Sequence, residues 1–130
     1  IMLHRALLGS LERFFGILVE QHVGCFPLWL APTQIAVISV GERHAEAATK
    51  AAAALRKAGV RVELDVAADK VGAKIRKHLW QEKTQLVAVV GDQELESGDL
   101  TLRHRNDGDL GTMSVDAVVA EIERRVAART

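Results

Sequence analysis

The 130-residue sequence predicts an α/β fold, a three-layer mixed sheet of about five strands with three helices. Three observations indicate this. Short β-branched segments alternate along the chain with longer segments of helical periodicity, an order typical of a mainly parallel sheet covered by helices. Residues 86–90 are apolar and too few for a globular helix, which indicates a strand buried on both faces. Residues 100–105 follow after a polar loop, so a hairpin-like strand should add a mixed edge to the sheet.

Each strand and helix of this domain has a local signal. Residues 34–40 alternate and are rich in β-branched side chains, as expected of a strand that ends at Gly41. Residues 43–58 are alanine-rich and strongly helix-forming, and Gly59 is the expected helix stop. A strict alternation over residues 60–66 predicts a second strand with one solvated face.

The second half of the domain is predicted in the same way. Residues 70–82 predict a helix with an apolar face and a basic face. The basic face is expected to be a solvent-exposed stripe made of Lys70, Lys74 and Lys77. Turn-forming residues between 92 and 99 predict a polar loop after the buried strand. A final helix is expected from Ser114, since valines and an isoleucine recur there at helical spacing.

The first 33 residues are expected to form a separate segment. Ile1–Leu3 has the pattern of a strand end, and Ser10 is a suitable N-cap for the helix that follows. Residues 26–32 contain both prolines and are predicted to be an extended linker. We therefore expect the tail of a larger domain at 1–33 and one compact domain at 34–130. The alternative is that the aromatic helix packs on the downstream domain.

Composition limits the classes of function. The chain is 48% hydrophobic and 26% charged, which is ordinary for a globular domain. Seventeen basic residues balance seventeen acidic ones, so any contact with nucleic acid must be local. The single cysteine, Cys25, excludes an internal disulfide. The sequence has neither a signal-like start nor an apolar run of ~20 residues, so we predict a soluble, cytoplasmic protein that does not associate with membranes.

Few residues suggest chemistry by themselves. The common nucleotide-binding and hydrolase motifs are absent. His22 and Cys25 have a spacing that could bind metal, although two ligands do not make a zinc site. Asp65 and Asp92 lie near the carboxyl ends of predicted strands, as acidic residues do in phosphoacceptor receiver domains. Paired arginines on the strand 100–105, beside the basic stripe, leave a nucleic-acid site open as another possibility.

Several segments resemble a known family. Residues 4–14, HRALLGSLERF, are similar to motif 3 of class II aminoacyl-tRNA synthetases in the form found in threonyl-tRNA synthetases. Residues 26–34, FPLWLAPTQ, are similar to that family's entry into its anticodon-binding domain. Further similar segments follow in the family's order at residues 59–65, 70–76, 91–92, 96–98 and 110–113. The resemblance covers essentially the whole chain and implies the α/β fold of that anticodon-binding domain, preceded by a strand and helix of the catalytic domain.

The resemblance implies roles for the amino-terminal segment. His4 matches a ligand of the catalytic zinc, and a neutral imidazole is a good zinc ligand. Arg13 matches the arginine that contacts ATP, and Ser10 lies where the family lines the adenylate site. A complete enzyme would then use zinc and ATP with magnesium. The remaining ligands belong to sequence outside this chain, so we expect the chain alone to bind neither zinc nor ATP and to lack aminoacylation activity.

The resemblance also implies contacts with tRNA. Glu96 and Arg105 match positions that recognise anticodon bases, since a carboxylate can accept hydrogen bonds from base amino groups and arginine can donate or stack. We add Lys70, Lys74 and Arg103 as predicted RNA contacts. We expect the loop after the buried strand to bring Glu96 to the same patch as Arg105, so that one base meets both side chains. The chain departs from the family at residues 67–68, where two alanines replace the arginine and asparagine of many bacterial relatives.

The sequence therefore predicts part of a threonyl-tRNA synthetase that binds the anticodon region of threonine tRNA, with the full-length enzyme a homodimer. The main alternative is an accessory module that binds nucleic acid without synthetase activity. A receiver-like signalling domain with Asp65 as phosphoacceptor is the third hypothesis.

Overall fold

The computed structural model describes residues 1–129. The elements in chain order are α1 (Leu11–Gln21), β1 (Ile35–Ser39), α2 (Ala45–Lys57), β2 (Val62–Asp65), α3 (Val71–Arg76), a π-helical turn (Lys77–Gln81), β3 (Leu86–Val90), α4 (Asp92–Ser97), β4 (Leu100–His104), β5 (Gly108–Met113) and α5 (Val115–Ala127). The strands form one sheet in the order β2-β1-β3-β4-β5. The first three strands of this order are parallel, and β4 and β5 are antiparallel to their neighbours. The predicted mixed three-layer fold is confirmed.

The sheet separates two apolar clusters. The central strands β1 and β3 are almost entirely buried because helices cover both of their faces. On one face, α2 and α5 enclose a large cluster that includes Ile35, Leu86 and Leu102. On the other face, α3 and the π-helical turn cover a smaller cluster around Ile38 and Val87. The smaller cluster leaves part of β4 and β5 uncovered on this face.

The sequence patterns located four of the five strands of the sheet and predicted a separate strand end at the amino terminus. Residues 1–3 are highly exposed and irregular, so the expected strand end at Ile1–Leu3 is wrong. A strand needs a hydrogen-bonded neighbour, and none of the described residues provides one there. The fifth strand is β5, whose sequence GDLGTM contains two glycines with positive φ angles and has weak β propensity. Its register also shifts at a bulge opposite Leu102 and Arg103, which further disguises the strand in the sequence.

Two other elements differ from the sequence prediction. The polar loop after β3 is the short helix α4, because the Glu94 carboxylate accepts a hydrogen bond from the Gly91 N–H at 3.0 Å and Gly98, at φ 77°, ends the helix. The predicted helix 70–82 is α3 followed by the π-helical turn. In that turn the Glu82 N–H donates to the Lys77 carbonyl at 2.9 Å, one residue beyond the α-helical partner.

The segment 26–32 is a compact turn, and the prediction of an extended linker is wrong. The N–H groups of Leu30 and Ala31 both donate to the Pro27 carbonyl at 2.9 Å. Leu28 is fully buried in the larger apolar cluster. The Arg61 guanidinium donates to the carbonyls of Leu28 and Ala31 at 2.9 and 2.8 Å. This turn is therefore part of the packing of the α/β domain.

Helix α1 lies before this turn and buries none of its residues. Its apolar face is exposed at Leu11, Phe14, Phe15 and Ile17. On the side of the domain, the Phe15 ring forms a tilted pair with the Phe26 ring, with centroids 6.3 Å apart. No helix among residues 1–129 is long and apolar enough to cross a membrane.

Candidate nucleic-acid interface

The uncovered face of β4 presents polar side chains beside the π-helical turn. Leu100 and Leu102 point into the larger cluster, so alternation directs Thr101 and Arg103 to the opposite face. Arg103 lies directly across from Val87, and its guanidinium is 3.5 Å from the Asp109 carboxylate. The Thr101 hydroxyl lies 3.0 Å from that of Thr112 on β5. This face is small, polar and half-exposed.

Arg105 continues this face and contacts an exposed tryptophan. Its backbone N–H donates to the Gln85 carbonyl at 2.9 Å, which extends the β3–β4 pairing by one residue. The guanidinium donates to the Leu79 carbonyl and lies 4.8 Å from the centre of the Trp80 ring. This is a cation–π distance, and Trp80 is still 59% exposed. A fixed guanidinium beside an open indole can both stack on a base and donate hydrogen bonds to it.

Exposed basic side chains lie beside this stack. Arg76 and Lys77 are exposed on the helix that precedes Trp80, and Lys70 is exposed at its start. A shallow groove there is lined by Asp69, Ala73, Lys74, Arg76, Lys77 and Gln81. The cations can contact phosphates while Arg105 and Trp80 contact a base. The sequence analysis missed Arg76 and Trp80, although a tryptophan on the polar side of a helix is a signal that could have identified Trp80.

Lys74 does not belong to this exposed set, and its expected place in a solvated basic stripe is wrong. Its side chain is 1% exposed. The ammonium group donates to the Ser39 carbonyl at 2.9 Å and lies 3.9 Å from the Asp65 carboxylate. A buried group that already has these partners cannot reach an RNA phosphate. Lys74 instead links the carboxyl ends of β1 and β2.

Glu96 is exposed, but it lies at the other end of the sheet from Arg105. Helix α4 follows the carboxyl end of β3, whereas Arg105 pairs with Gln85 before β3 begins. At ~3.3 Å per residue, the length of β4 separates the two side chains by roughly 15 Å. The expectation that both meet one base in a single patch is wrong. The antiparallel direction of β4 is the reason, because each residue along it lies farther from α4.

Comparison with known proteins identifies the domain. Residues 34–125 match the family model described as "Anticodon binding domain". The chain belongs to this family. It is 47% identical over 129 residues to a threonine–tRNA ligase of Thiobacillus denitrificans and 46% identical to that of Caldanaerobacter subterraneus. In each case the match covers 99% of this chain and 20% of the relative, so the chain spans about a fifth of the length of these curated relatives.

Solved structures agree with the domain's fold. The RNA binding domain of threonyl-tRNA synthetase from Cryptosporidium parvum has a TM-score of 0.85 and 29% identity, covering 94% of this chain and 30% of that one. A putative threonyl-tRNA synthetase from Aeropyrum pernix has a TM-score of 0.69 and 25% identity, covering 93% of this chain and 30% of that one. A prolyl-tRNA synthetase from Cryptosporidium parvum, at 22% identity and a TM-score of 0.66, shares the fold and covers 79% of this chain and 23% of its own.

The Asp65 carboxylate is buried inside the anticodon-binding domain and holds its neighbouring elements together. It is almost fully buried, and its carboxylate lies 3.0 Å from His78 Nε2 and 3.5 Å from Lys77 Nζ. Burial alone would raise the pKa of Asp65, but the Ala67 N–H, His78 and two lysines outweigh burial and lower the pKa. A phosphoacceptor needs a carboxylate that a phosphoryl donor can reach, and this one is enclosed by its partners.

The residues predicted for the catalytic centre lie on the amino-terminal segment. Ser10 caps α1, as predicted, by accepting from the Arg13 N–H at 3.3 Å. His4 and Arg13 are exposed. Among residues 1–129, the clustered metal-ligating side chains include neither His4 nor the His22–Cys25 pair. His4 by itself offers one of the three protein ligands that a catalytic zinc needs.

Proposed function

We propose that this chain is the anticodon-binding part of a threonyl-tRNA synthetase and that it binds the anticodon loop of threonine tRNA. The observation that carries the proposal is the stack of Arg105 on the exposed Trp80 ring, on a domain that belongs to the anticodon-binding family. We define the anticodon face as Arg76, Lys77, Trp80, Arg103 and Arg105. A base that is unstacked from the loop can lie against the Trp80 ring while the Arg105 guanidinium donates to its edge.

The two kinds of contact have different consequences. Arg76, Lys77 and the more distant Lys70 supply charge for phosphates, which fixes the position of the loop without recognising its sequence. Arg105 has a planar fork of donors, so it can distinguish bases by their acceptor pattern. The chain has no net charge, so this local cluster provides the attraction to RNA. Glu96, at the opposite end of the sheet, would contact a different nucleotide from Arg105.

The finer expectations about the whole enzyme belong to this proposal. We propose that the segment before the turn 26–32 continues a catalytic domain to which Ser10 and Arg13 contribute ATP contacts and His4 contributes a zinc ligand. The exposed apolar face of α1 supports this, because such a face is normally covered. The enzyme would join threonine to its tRNA as a cytoplasmic homodimer. Similarity to threonine–tRNA ligases over 99% of the chain supports the assignment.

A fluorescence titration tests the proposal. The chain contains two tryptophans, so Trp29→Phe leaves Trp80 as the only indole reporter. Addition of the threonine anticodon stem-loop should quench Trp80 emission, and Arg105→Ala should weaken binding by ~1–3 kcal/mol for the cognate loop. The loss should be much smaller for a loop whose recognised base is changed.

The matched control is Lys57→Ala, which removes an exposed lysine from α2 on the other side of the sheet. This variant should bind the cognate loop like the parent chain. Equal affinity of the parent chain for stem-loops of unrelated anticodons would instead identify an accessory nucleic-acid-binding module. If Arg105→Ala binds the cognate loop with the same affinity as the parent chain, the stack of Arg105 on Trp80 does not contribute to RNA binding and the proposal is wrong.

A further inference from the structure

A buried histidine lies among three carboxylates between β2 and the π-helical turn. Glu63 and Asp65 are two residues apart on the edge strand β2, so both point to the face that α3 covers. His78 belongs to the π-helical turn, is fully buried, and is followed four residues later by Glu82. One atom from each of Glu63, His78 and Glu82 lies within 4.8 Å of the others. None of these side chains belongs to the anticodon face.

The hydrogen bond of His78 to Asp65 determines which ring nitrogen is free. His78 Nε2 lies 3.0 Å from a carboxylate oxygen of Asp65. A carboxylate only accepts, so Nε2 carries the hydrogen and donates it. In the neutral ring Nδ1 then keeps its lone pair. Metal-binding histidines show this same arrangement, in which the second ring nitrogen donates to a carboxylate that fixes the tautomer and the ring orientation.

His78 Nδ1 is directed at another acceptor. It has no hydrogen-bond partner although it is fully buried. Glu82 Oε2 is 2.5 Å away, without the geometry of a hydrogen bond to Nδ1. Two lone-pair atoms at this distance repel each other unless a cation or a proton lies between them. The position of Nδ1 therefore indicates a positive partner between it and Glu82, either a proton or a metal ion.

The surrounding charges also favour a cation. Asp65 and Glu82 lie beside two ammonium groups, Lys74 and Lys77, and Glu63 adds a third carboxylate to the cluster. With a neutral histidine this leaves one negative charge uncompensated. Lys77 approaches Oε1 of Glu82 at 3.5 Å, so the other oxygen, which faces His78, remains available.

We propose that Glu63, His78 and Glu82 form a binding site for a divalent transition metal, with Zn²⁺ as the best match. One imidazole nitrogen with two carboxylate oxygens is a donor set that zinc accepts, leaving a fourth position for water. Zinc bonds of ~2.0–2.2 Å place tetrahedral donor atoms about 3.4 Å apart. The Glu82 oxygen that lies 2.5 Å from Nδ1 must therefore move away by about 1 Å, and the Glu63 carboxylate must adjust to the same spacing, which these two partly exposed glutamates can do. Asp65 is a positioning residue for His78.

The site would connect β2 to the π-helical turn that contains Trp80. A bound metal would link the edge strand β2 to His78, the first buried residue of this turn. Metal occupancy should therefore raise the stability of the domain, since an ion that binds only the folded state shifts the unfolding equilibrium. The two sites share one neighbour, Lys77, which contacts Asp65 and Glu82. None of the proposed metal ligands belongs to the anticodon face, so zinc binding and RNA binding can each fail without the other and are distinguishable.

Titration of the metal-free 130-residue chain with Zn²⁺ and Co²⁺ tests the proposal. Calorimetry should show one Zn²⁺ per chain and a rise in Tm. Cobalt should give visible d–d bands without the thiolate charge-transfer band that Cys25 would produce. In a long-range ¹H–¹⁵N spectrum, the Nδ1 signal of His78 should shift on zinc binding while Nε2 stays protonated.

Variants separate this site from other donors. Glu63→Gln and Glu82→Gln preserve side-chain volume and should each weaken zinc binding. Asp65→Asn, which changes the positioning residue, should weaken zinc binding by ~10–100-fold. The matched control Glu123→Gln changes an exposed carboxylate on α5 and should leave affinity unchanged, as should His4→Ala and Cys25→Ser. Zinc affinity that is unaltered in Glu63→Gln/Glu82→Gln, or absence of stoichiometric binding to the parent chain, overturns the proposal.

Discussion

Lys74 illustrates at the residue scale how burial changes the role of a charged side chain. Its ammonium group bonds to the Ser39 carbonyl and balances the Asp65 carboxylate inside the domain. Lys74→Ala should therefore destabilise the fold by about 2–4 kcal/mol, because it leaves a buried anion and a buried carbonyl without this partner. Urea unfolding measures the change. Lys70→Ala, on the exposed start of the same helix, should stay within about 0.5 kcal/mol.

The same pair of variants separates stability from RNA binding. Lys70→Ala should lower RNA affinity equally for all anticodons and reduce the slope of log affinity against log salt, if it contacts a phosphate. A folded Lys74→Ala chain should keep the parent's salt slope. A reduced slope in Lys74→Ala with unchanged stability would contradict the buried position of this lysine.

Glu121 provides a residue-scale prediction about acid. Hydrogen bonding from Arg124 above all, with Arg125 adding to it, outweighs the effect of burial and lowers the pKa of Glu121 from 4.5 to about 2. A carboxyl whose pKa is lower in the folded state stabilises the fold above pH ~4.5, and this contribution is lost as the pH falls toward ~2. Allowing for partial exposure, the contribution is on the order of 1–2 kcal/mol.

Glu121→Gln should thus lower the free energy of unfolding at neutral pH and flatten its dependence on pH between ~4.5 and ~2. Denaturant unfolding at several pH values measures this. Glu123→Gln lies two residues away on the same helix and is the control. Equal acid sensitivity of the parent chain and Glu121→Gln would contradict the assigned role.

At the scale of elements, the turn over residues 26–32 decides where the folded domain begins. Leu28 is buried in the large cluster, while α1 contributes no buried residue. A chain that lacks residues 1–24 should unfold at nearly the same urea concentration as the whole chain. A chain that lacks residues 1–32 should be less stable by about 2–5 kcal/mol, since it loses Leu28 and the carbonyls bound by Arg61.

The two deletions also test whether α1 drives self-association through its exposed apolar face. Sedimentation should show more association for the whole chain than for the chain without residues 1–24. If both deletions are equally stable, the turn is not part of the domain's packing.

The elements also show what sequence patterns predict well. The apolar strand 86–90 and the alanine-rich helix were predictable because burial and propensity act together there. Helix α4 was not, because a single carboxylate, Glu94, satisfies the Gly91 N–H and converts turn-forming residues into a helix. β5 was missed because its pairing with β4 overrides its glycine content. Local propensity does not contain these tertiary contacts.

The candidate site was predicted only in part for a similar reason. Arg103 and Arg105 follow from alternation on one strand, but the direction of that strand, and hence the distance to Glu96, depends on the sheet topology. The exposure of Trp80 depends on the π-helical turn, which rotates the residues after Arg76 relative to an α-helix. Lys74 has the helical spacing of Val71 and His78, which face the interior, and it was predicted at the surface because of its charge.

At the scale of the whole molecule, the two faces of the single sheet differ in how far helices cover them. Helices α2 and α5 cover one face completely, and the uncovered part of the other face presents the Arg105–Trp80 stack. The buried ionic network of Asp65, Lys74 and His78 fixes β1 and β2 to the helix that leads to this stack. The domain can therefore present the anticodon face on a rigid support, which limits the entropy lost on binding RNA.

Chemical-shift mapping tests this account most directly. The two tryptophan indole N–H signals report on separate places, Trp80 on the anticodon face and Trp29 in the amino-terminal turn, and both side chains are accessible. On addition of the threonine anticodon stem-loop, we expect the Trp80 indole and the Arg103 and Arg105 signals to shift while Trp29 and α2 do not. Shifts confined to α1, α2 or the Trp29 indole, with Trp80 unchanged, would contradict the assignment of the RNA-binding surface.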